Sequence, residues 1–197
     1  MTPARFLFGL RACRLGLLLA LLLPAVVQAA ALNHSREAVR SVSRAYGFVV
    51  GQSIVLDLIE EAHPQLEPEA LAARAAFDAV FPEAEEKLEA ELAAVFGEKS
   101  FAAMREETLD LMTRVLQKQQ LSVEQARDYI AGVKRRAQGE DMEQDVLDYL
   151  LAVTYAERPS AEFADGFRQR YRSDGSGKAQ GVRLRLQLPR SWAGADG

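Results

Sequence analysis

Cysteine and histidine are nearly absent from this sequence: its 197 residues hold one cysteine, Cys13, and two histidines, His34 and His63. Cys13 stands before the apolar run of the N-terminus instead of after it, which excludes a lipid-anchored cysteine at that place. Beyond residue 30 no cysteine remains, so neither a disulfide nor a thiol nucleophile is available, and the fold must be held by packing alone. A Gly-x-Ser-x-Gly nucleophile turn is missing, as is any serine in a recognisable triad setting. Repeats of fixed period are missing too, which excludes a solenoid. The apolar run Leu15–Val27 covers 13 residues, short of the roughly 20 that cross a bilayer.

What is present at the N-terminus reads as an address. Arg5, Arg11 and Arg14 make a positive start without an acid nearby, Leu15–Leu23 is apolar, and Pro24 ends that stretch. Val27-Gln28-Ala29 and Ala29-Ala30-Ala31 place small residues at cleavage positions. Residues 1–30 are therefore expected to be a secretory signal peptide, and the mature chain to be periplasmic or secreted, with no membrane contact after cleavage. About 165 residues remain, enough for one core.

Charge is distributed unevenly over 24 basic and 28 acidic residues. From Ala31 to Arg158 there are 14 basic and 24 acidic residues, whereas from Pro159 onward there are 7 basic and 4 acidic. The acidic body argues against nucleic acid or an anionic membrane as the main partner. The basic tail suits an acidic surface, its own included.

Between these ends the pattern is helical. Ser35 is placed to cap a first helix carrying Val39, Val42, Tyr46 and Ile54 at helical spacing and ending at His63-Pro64. Gly47 and Gly51 lie one turn apart inside it. Each costs roughly 1 kcal/mol against alanine, an outlay that a close approach of another helix would offset. Pro68-Glu69 opens a second helix running to Phe81, and Pro82 a third that Gly97 stops. A fourth is expected over residues 100–120, and the capping box Ser122-Val-Glu-Gln125 opens a fifth that Gly139 ends. A sixth is expected over residues 140–156. A seventh opens at Pro159, with Phe163, Phe167 and Tyr171 four apart on one stripe. The expected fold is an all-α bundle of about six or seven helices over residues 31–172, a linker over 173–180, and a C-terminal β-strand extension over 181–197. In that tail Val182, Leu184, Leu186 and Leu188 alternate with Arg183, Arg185 and Gln187, a period of two. With no second strand expected, the tail reads as the first piece of a sheet whose remainder lies elsewhere, or as a strand that pairs with a second chain.

No catalytic, cofactor-binding or metal residue emerges. Glu60-Glu61-Ala62-His63 has the Glu-x-x-His spacing of di-iron bundles, but those need it twice with two further carboxylates, and His34 cannot supply a second copy. Gly175-Ser-Gly-Lys178 has the ending of a phosphate loop, yet Arg172 stands where the leading glycine belongs and Ala179 where a Ser or Thr belongs. The acidic run Glu83–Glu91 reads as the wet face of the third helix, with Glu83 and Lys87 as an i, i+4 pair.

Two resemblances add to this. Tyr46-Gly-Phe-Val-Val-Gly-Gln52, together with Lys178-x-x-Gly181 and Leu188-Pro-Arg-Ser-Trp192, resembles an uncharacterised family of secreted bacterial proteins with an N-terminal helical region and a PsbP-like α/β domain. That resemblance implies that the second domain stops here after its first strand, and it carries no activity. Ser43-Arg-Ala-Tyr-Gly-x-x-x-Gly51, with Leu66 and Phe77, is more weakly similar to the helical dimerisation segment of periplasmic FKBP-type prolyl isomerases. It implies a dimerising part without the β-rich enzymatic domain.

The sequence thus points to an exported, non-catalytic scaffold or interaction module. Its contact would be with a protein partner or a second copy, through the Gly47/Gly51 face or the Val182–Leu188 strand. The alternative is an enzyme with a carboxylate or metal site in the helical core. Mass spectrometry of exported protein should find an N-terminus between Ala30 and Leu32; a mature form retaining Met1–Val27 overturns the leader assignment.

Overall fold

The computed structural model describes residues 36–176 and 180–192. Residues 1–30, expected to be a leader, the expected cap position Ser35, His34 and Lys178 lie outside the described residues. Seven α-helices are described: α1 (Arg36–Ala62), α2 (Glu67–Val80), α3 (Ala84–Phe96), α4 (Glu98–Gln117), α5 (Val123–Arg136), α6 (Gln144–Thr154) and α7 (Pro159–Ala164). A single 3-10 turn, Pro64–Leu66, joins α1 to α2, and two strands follow α7, β1 (Arg168–Arg172) and β2 (Arg185–Pro189). The chain is an all-α bundle with a C-terminal β extension.

Helix α1 is the axis. Its 27 residues make a rod about 40 Å long at 1.5 Å per residue. Val42, Val49, Leu56 and Ile59 are buried on it, as are Ala45 and Val50 on neighbouring turns. Apolar residues therefore cover most of its circumference, the pattern of a helix wrapped on all sides. Helices α2, α3, α4, α5 and α6 all pack on it. By length and composition Ala38–Ala62 would also suit a membrane span, but more than half of that window is buried inside the bundle, as for a core helix.

Local signals set the helix ends. Pro68 stands in the first turn of α2 with Glu67 and Glu69 beside it. Gly97 ends α3 at φ +82, a left-handed value that glycine reaches without a Cβ penalty. The capping box of α5 is formed, with Gln125 N–H donating to Ser122 Oγ at 3.3 Å and Ser122 N–H to Gln125 Oε1 at 2.9 Å. The third helix starts at Ala84, two residues after Pro82, because Glu83 is left-handed at φ 56 and breaks the path.

Gly51 meets the expected close approach inside the chain. A Cβ there would lie 3.2 Å from Met112 Cε of α4. Gly47 is buried.

The seventh helix is where the pattern misled. Phe163, Phe167 and Tyr171 do not form one helical stripe, because α7 stops at Ala164 and residues 168–172 are β1. Gly166 at φ +97 turns the chain out of the helix. The strand β2 accordingly has a partner within the chain. It pairs antiparallel with β1, Gln169 opposite Leu188 and Tyr171 opposite Leu186. The regular strand also begins at Arg185, not Val182.

Gly51→Leu should lower unfolding free energy in urea by about 1–3 kcal/mol through overpacking against α4. Gly51→Ala should cost far less, since the flexible end of Met112 can yield. Equal effects of the two substitutions would show that the α1–α4 contact is loose.

Candidate interaction surface

Among the described residues the two-stranded ribbon is tied to the bundle at one end only. Phe167, just before β1, packs beside Phe81 and Tyr155 with ring centroids 6.3 and 6.4 Å away. It also lies against Gly139, where a Cβ would sit 3.1 Å from its ring. Glu162 of α7 is fully buried. Its carboxylate accepts Ser191 N–H at 2.7 Å and Ser191 Oγ–H at 2.5 Å, so the buried charge is met by donors from the turn after β2. Arg190 reaches α6, donating to Asp148 at 3.2 Å and to Gln144 Oε1 at 2.6 Å. Gln169 Nε2 donates to the carbonyls of Pro189, Arg190 and Trp192, fixing the turn from the β1 side.

Beyond that anchor the ribbon projects into solvent with two unlike faces. Residues directly opposite share a face, so the register puts Tyr171, Leu186 and Leu188 together. Ser173 N–H donates to Leu184 O at 3.0 Å, which continues the pairing and adds Leu184 to that face. Seven large hydrophobic side chains are exposed among the described residues, and five of them (Tyr171, Val182, Leu184, Leu186 and Trp192) lie in this short C-terminal stretch. Leu184 and Leu186 are each 46% exposed. The other two, Leu71 and Leu111, sit singly on helices, which is ordinary for a protein surface.

The opposite face is cationic. Arg168, Arg170 and Arg172 alternate along β1, and Arg185 lies across from Arg172. Arg168 is engaged locally, its guanidinium 4.3 Å above the Phe163 ring. Arg170, Arg172, Arg183 and Arg185 form no ion pair among the described residues.

The residues weighed for chemistry are occupied otherwise. His63 Nε2 lies 2.8 Å from the Leu121 carbonyl, and Glu60 accepts from Arg74, so this Glu-x-x-His pair is drawn in different directions. Gly175 accepts Gly181 N–H at 2.8 Å in the ribbon turn. The acidic run on α3 is only partly a wet face. Glu83 and Lys87 do form an exposed pair at 3.7 Å. Glu85 and Glu89 instead turn toward α4 and α1, where Arg105 bridges both and the buried Tyr46 hydroxyl donates to Glu89 at 3.1 Å. Burial, and then the neighbouring Glu89, push the Glu85 carboxyl above its ordinary range, and burial with the Glu89 charge raises the Tyr46 phenol.

A cleft of about 440 Å³ opens between the ends of α2, α5 and α6, lined by Val80, Gln138, Tyr155, Asp165 and Phe167 among others. Tyr155 donates to Asp165 at 2.8 Å. Burial and then this bond push the phenol up to about 12. Among the described residues no cluster of three or more His, Cys, Asp or Glu side chains is placed to hold a metal.

Compared with family models, curated proteins and solved structures, the chain matches none.

Ser191→Ala should cost about 1.5 kcal/mol in unfolding free energy, the low end for one hydrogen bond to a carboxylate. It should also speed amide exchange in β1 and β2 more than in α1. Unchanged ribbon exchange would show that Phe167 and Arg190 alone secure it.

Proposed function

We propose that this chain is an exported helical interaction module whose C-terminal ribbon grips another polypeptide. The observation that carries the reading is the exposed apolar face of Tyr171, Leu184 and Leu186 on a ribbon held firmly at its base by Glu162 and Ser191. Complete burial of such a side chain gives roughly 1.5–3 kcal/mol, and a contiguous apolar patch of this kind marks a contact site. A two-stranded sheet also has an outer backbone edge able to pair with another strand. The helical bundle is the rigid mount: its polar contacts are spent on joining its own helices, as with Tyr46, Glu89 and Arg105. Export is supported by the N-terminal pattern of Arg5 to Ala31.

A photo-crosslinking amino acid placed at Leu184 in exporting cells should yield a discrete adduct with a polypeptide, and the same group at Leu71 of α2 should not. The added substitution Leu186→Lys should abolish the Leu184 adduct. Exported protein with no adduct from Leu184, or with equal adducts from both positions, overturns the reading.

A further inference from the structure

The hydrogen bonds that bracket the ribbon reveal which backbone groups are open. Arg190 N–H donates to Phe167 O at 3.1 Å and Ser173 N–H to Leu184 O at 3.0 Å. Both pairs belong to the same register as Gln169 opposite Leu188 and Tyr171 opposite Leu186. In an antiparallel pair hydrogen-bonded and non-hydrogen-bonded positions alternate. Gln169 and Tyr171 therefore spend both their N–H and C=O groups on β2, Phe167 its C=O and Ser173 its N–H, while the Phe167 N–H turns back to the Glu162 carbonyl. Arg168, Arg170 and Arg172 turn theirs to the outer edge of β1. On β2 the outward residues are Arg185, Gln187 and Pro189, and proline has no N–H to offer, so that edge is blunted at its anchored end. The β1 edge carries no such block.

Resting on the interaction-module reading, we propose that the occupant of the β1 edge is an extended segment of another protein in which apolar and acidic residues alternate. A strand added there places its residues opposite those of β1, face for face. Positions across from Tyr171 join the apolar face with Leu184 and Leu186. Positions across from Arg170 and Arg172 lie beside two arginines that form no ion pair among the described residues, with Arg185 one strand further on, so a carboxylate is favoured there and a lysine is repelled. The same arginines disfavour a second copy of this ribbon, because antiparallel pairing of two β1 edges sets arginines facing arginines. The partner is thus an acidic amphipathic strand.

The test uses the full mature chain and two blocked peptides of equal length, one alternating Val and Glu and one alternating Val and Lys. The Val-Glu peptide should bind, weaken with added salt, and slow hydrogen exchange at the Arg170 and Arg172 amides while leaving Gln169 and Tyr171 as they were. The Val-Lys peptide should bind about tenfold more weakly or not at all. The double variant Arg170→Glu, Arg172→Glu, whose changes are on exposed side chains, should invert that order. Equal affinity for the two peptides, or binding without protection of the Arg170 and Arg172 amides, overturns the proposal. So does preferential binding to phosphatidylglycerol vesicles, or protection of those amides by self-association alone. If neither peptide binds while the Leu184 adduct still forms in cells, the acidic-strand proposal fails and the interaction-module reading stands.

Discussion

Helix α1 carries apolar side chains on most of its circumference between Val39 and Ile59, and a rod with that pattern must be covered along that stretch. Five helices are laid on it for this purpose. Short helices joined by tight turns suit the task, since each needs only one apolar stripe to contribute. The price of such a core helix is its polar groups, which cannot reach water. Ser43 returns its hydroxyl to the Val39 carbonyl at 2.8 Å. Gln52, almost fully buried, accepts from Arg136 of α5 at 3.0 Å. Arg136 is itself held between the Phe48 and Tyr129 rings, at 5.5 and 5.0 Å from their centroids.

Those polar contacts also set the register of the covering helices. Arg44 of α1 reaches Glu143 and Asp145 at the start of α6. Arg74 of α2 reaches back to Ser53 and Asp57 of α1 at 2.8 and 2.6 Å. Tyr46, Glu89 and Arg105 tie α1, α3 and α4 at one point. Hydrophobic burial is not directional and would tolerate sliding of one helix along another. Hydrogen bonds to fixed partners do not, because a slipped helix would leave the buried Tyr46 hydroxyl and Gln52 amide unpaired. A bundle without disulfides gains a single arrangement in this way.

The ribbon follows a different logic. Its base is part of the core's periphery, with Glu162 buried and Phe167 packed beside Phe81. Its outer part has no cover among the described residues, and its apolar and cationic faces are kept apart by the pleat. Burial at the base and exposure at the open end thus fall on different residues. Changes at Leu184 or Leu186 therefore act on a surface, whereas changes at Glu162 act on the mounting.

Helix positions were legible in the sequence because their signals are local. Pro68, Gly97 and the Ser122–Gln125 box act within one or two turns, and the structure uses each of them. The close approach at Gly51 was legible as well, since two glycines in a helix are costly unless something presses on them. The partners in space were not. Nothing near Glu85 and Glu89 in the chain distinguishes them from the exposed acids around them; Arg105 and Tyr46 do so only once α3, α4 and α1 are packed. The segment 163–172 held both periods at once, aromatics four apart and Arg-Gln-Arg-Tyr-Arg two apart. A residue-by-residue pattern cannot choose between them, because a strand's hydrogen bonds are made to another segment and a helix's to itself. The sequence by itself determined the helical class, the ends of most helices and the two-faced strand. The pairing of β1 with β2, the burial of Glu162 under Ser191 and the exposure of the arginine edge were decided by tertiary structure, since each depends on groups that lie far apart along the chain.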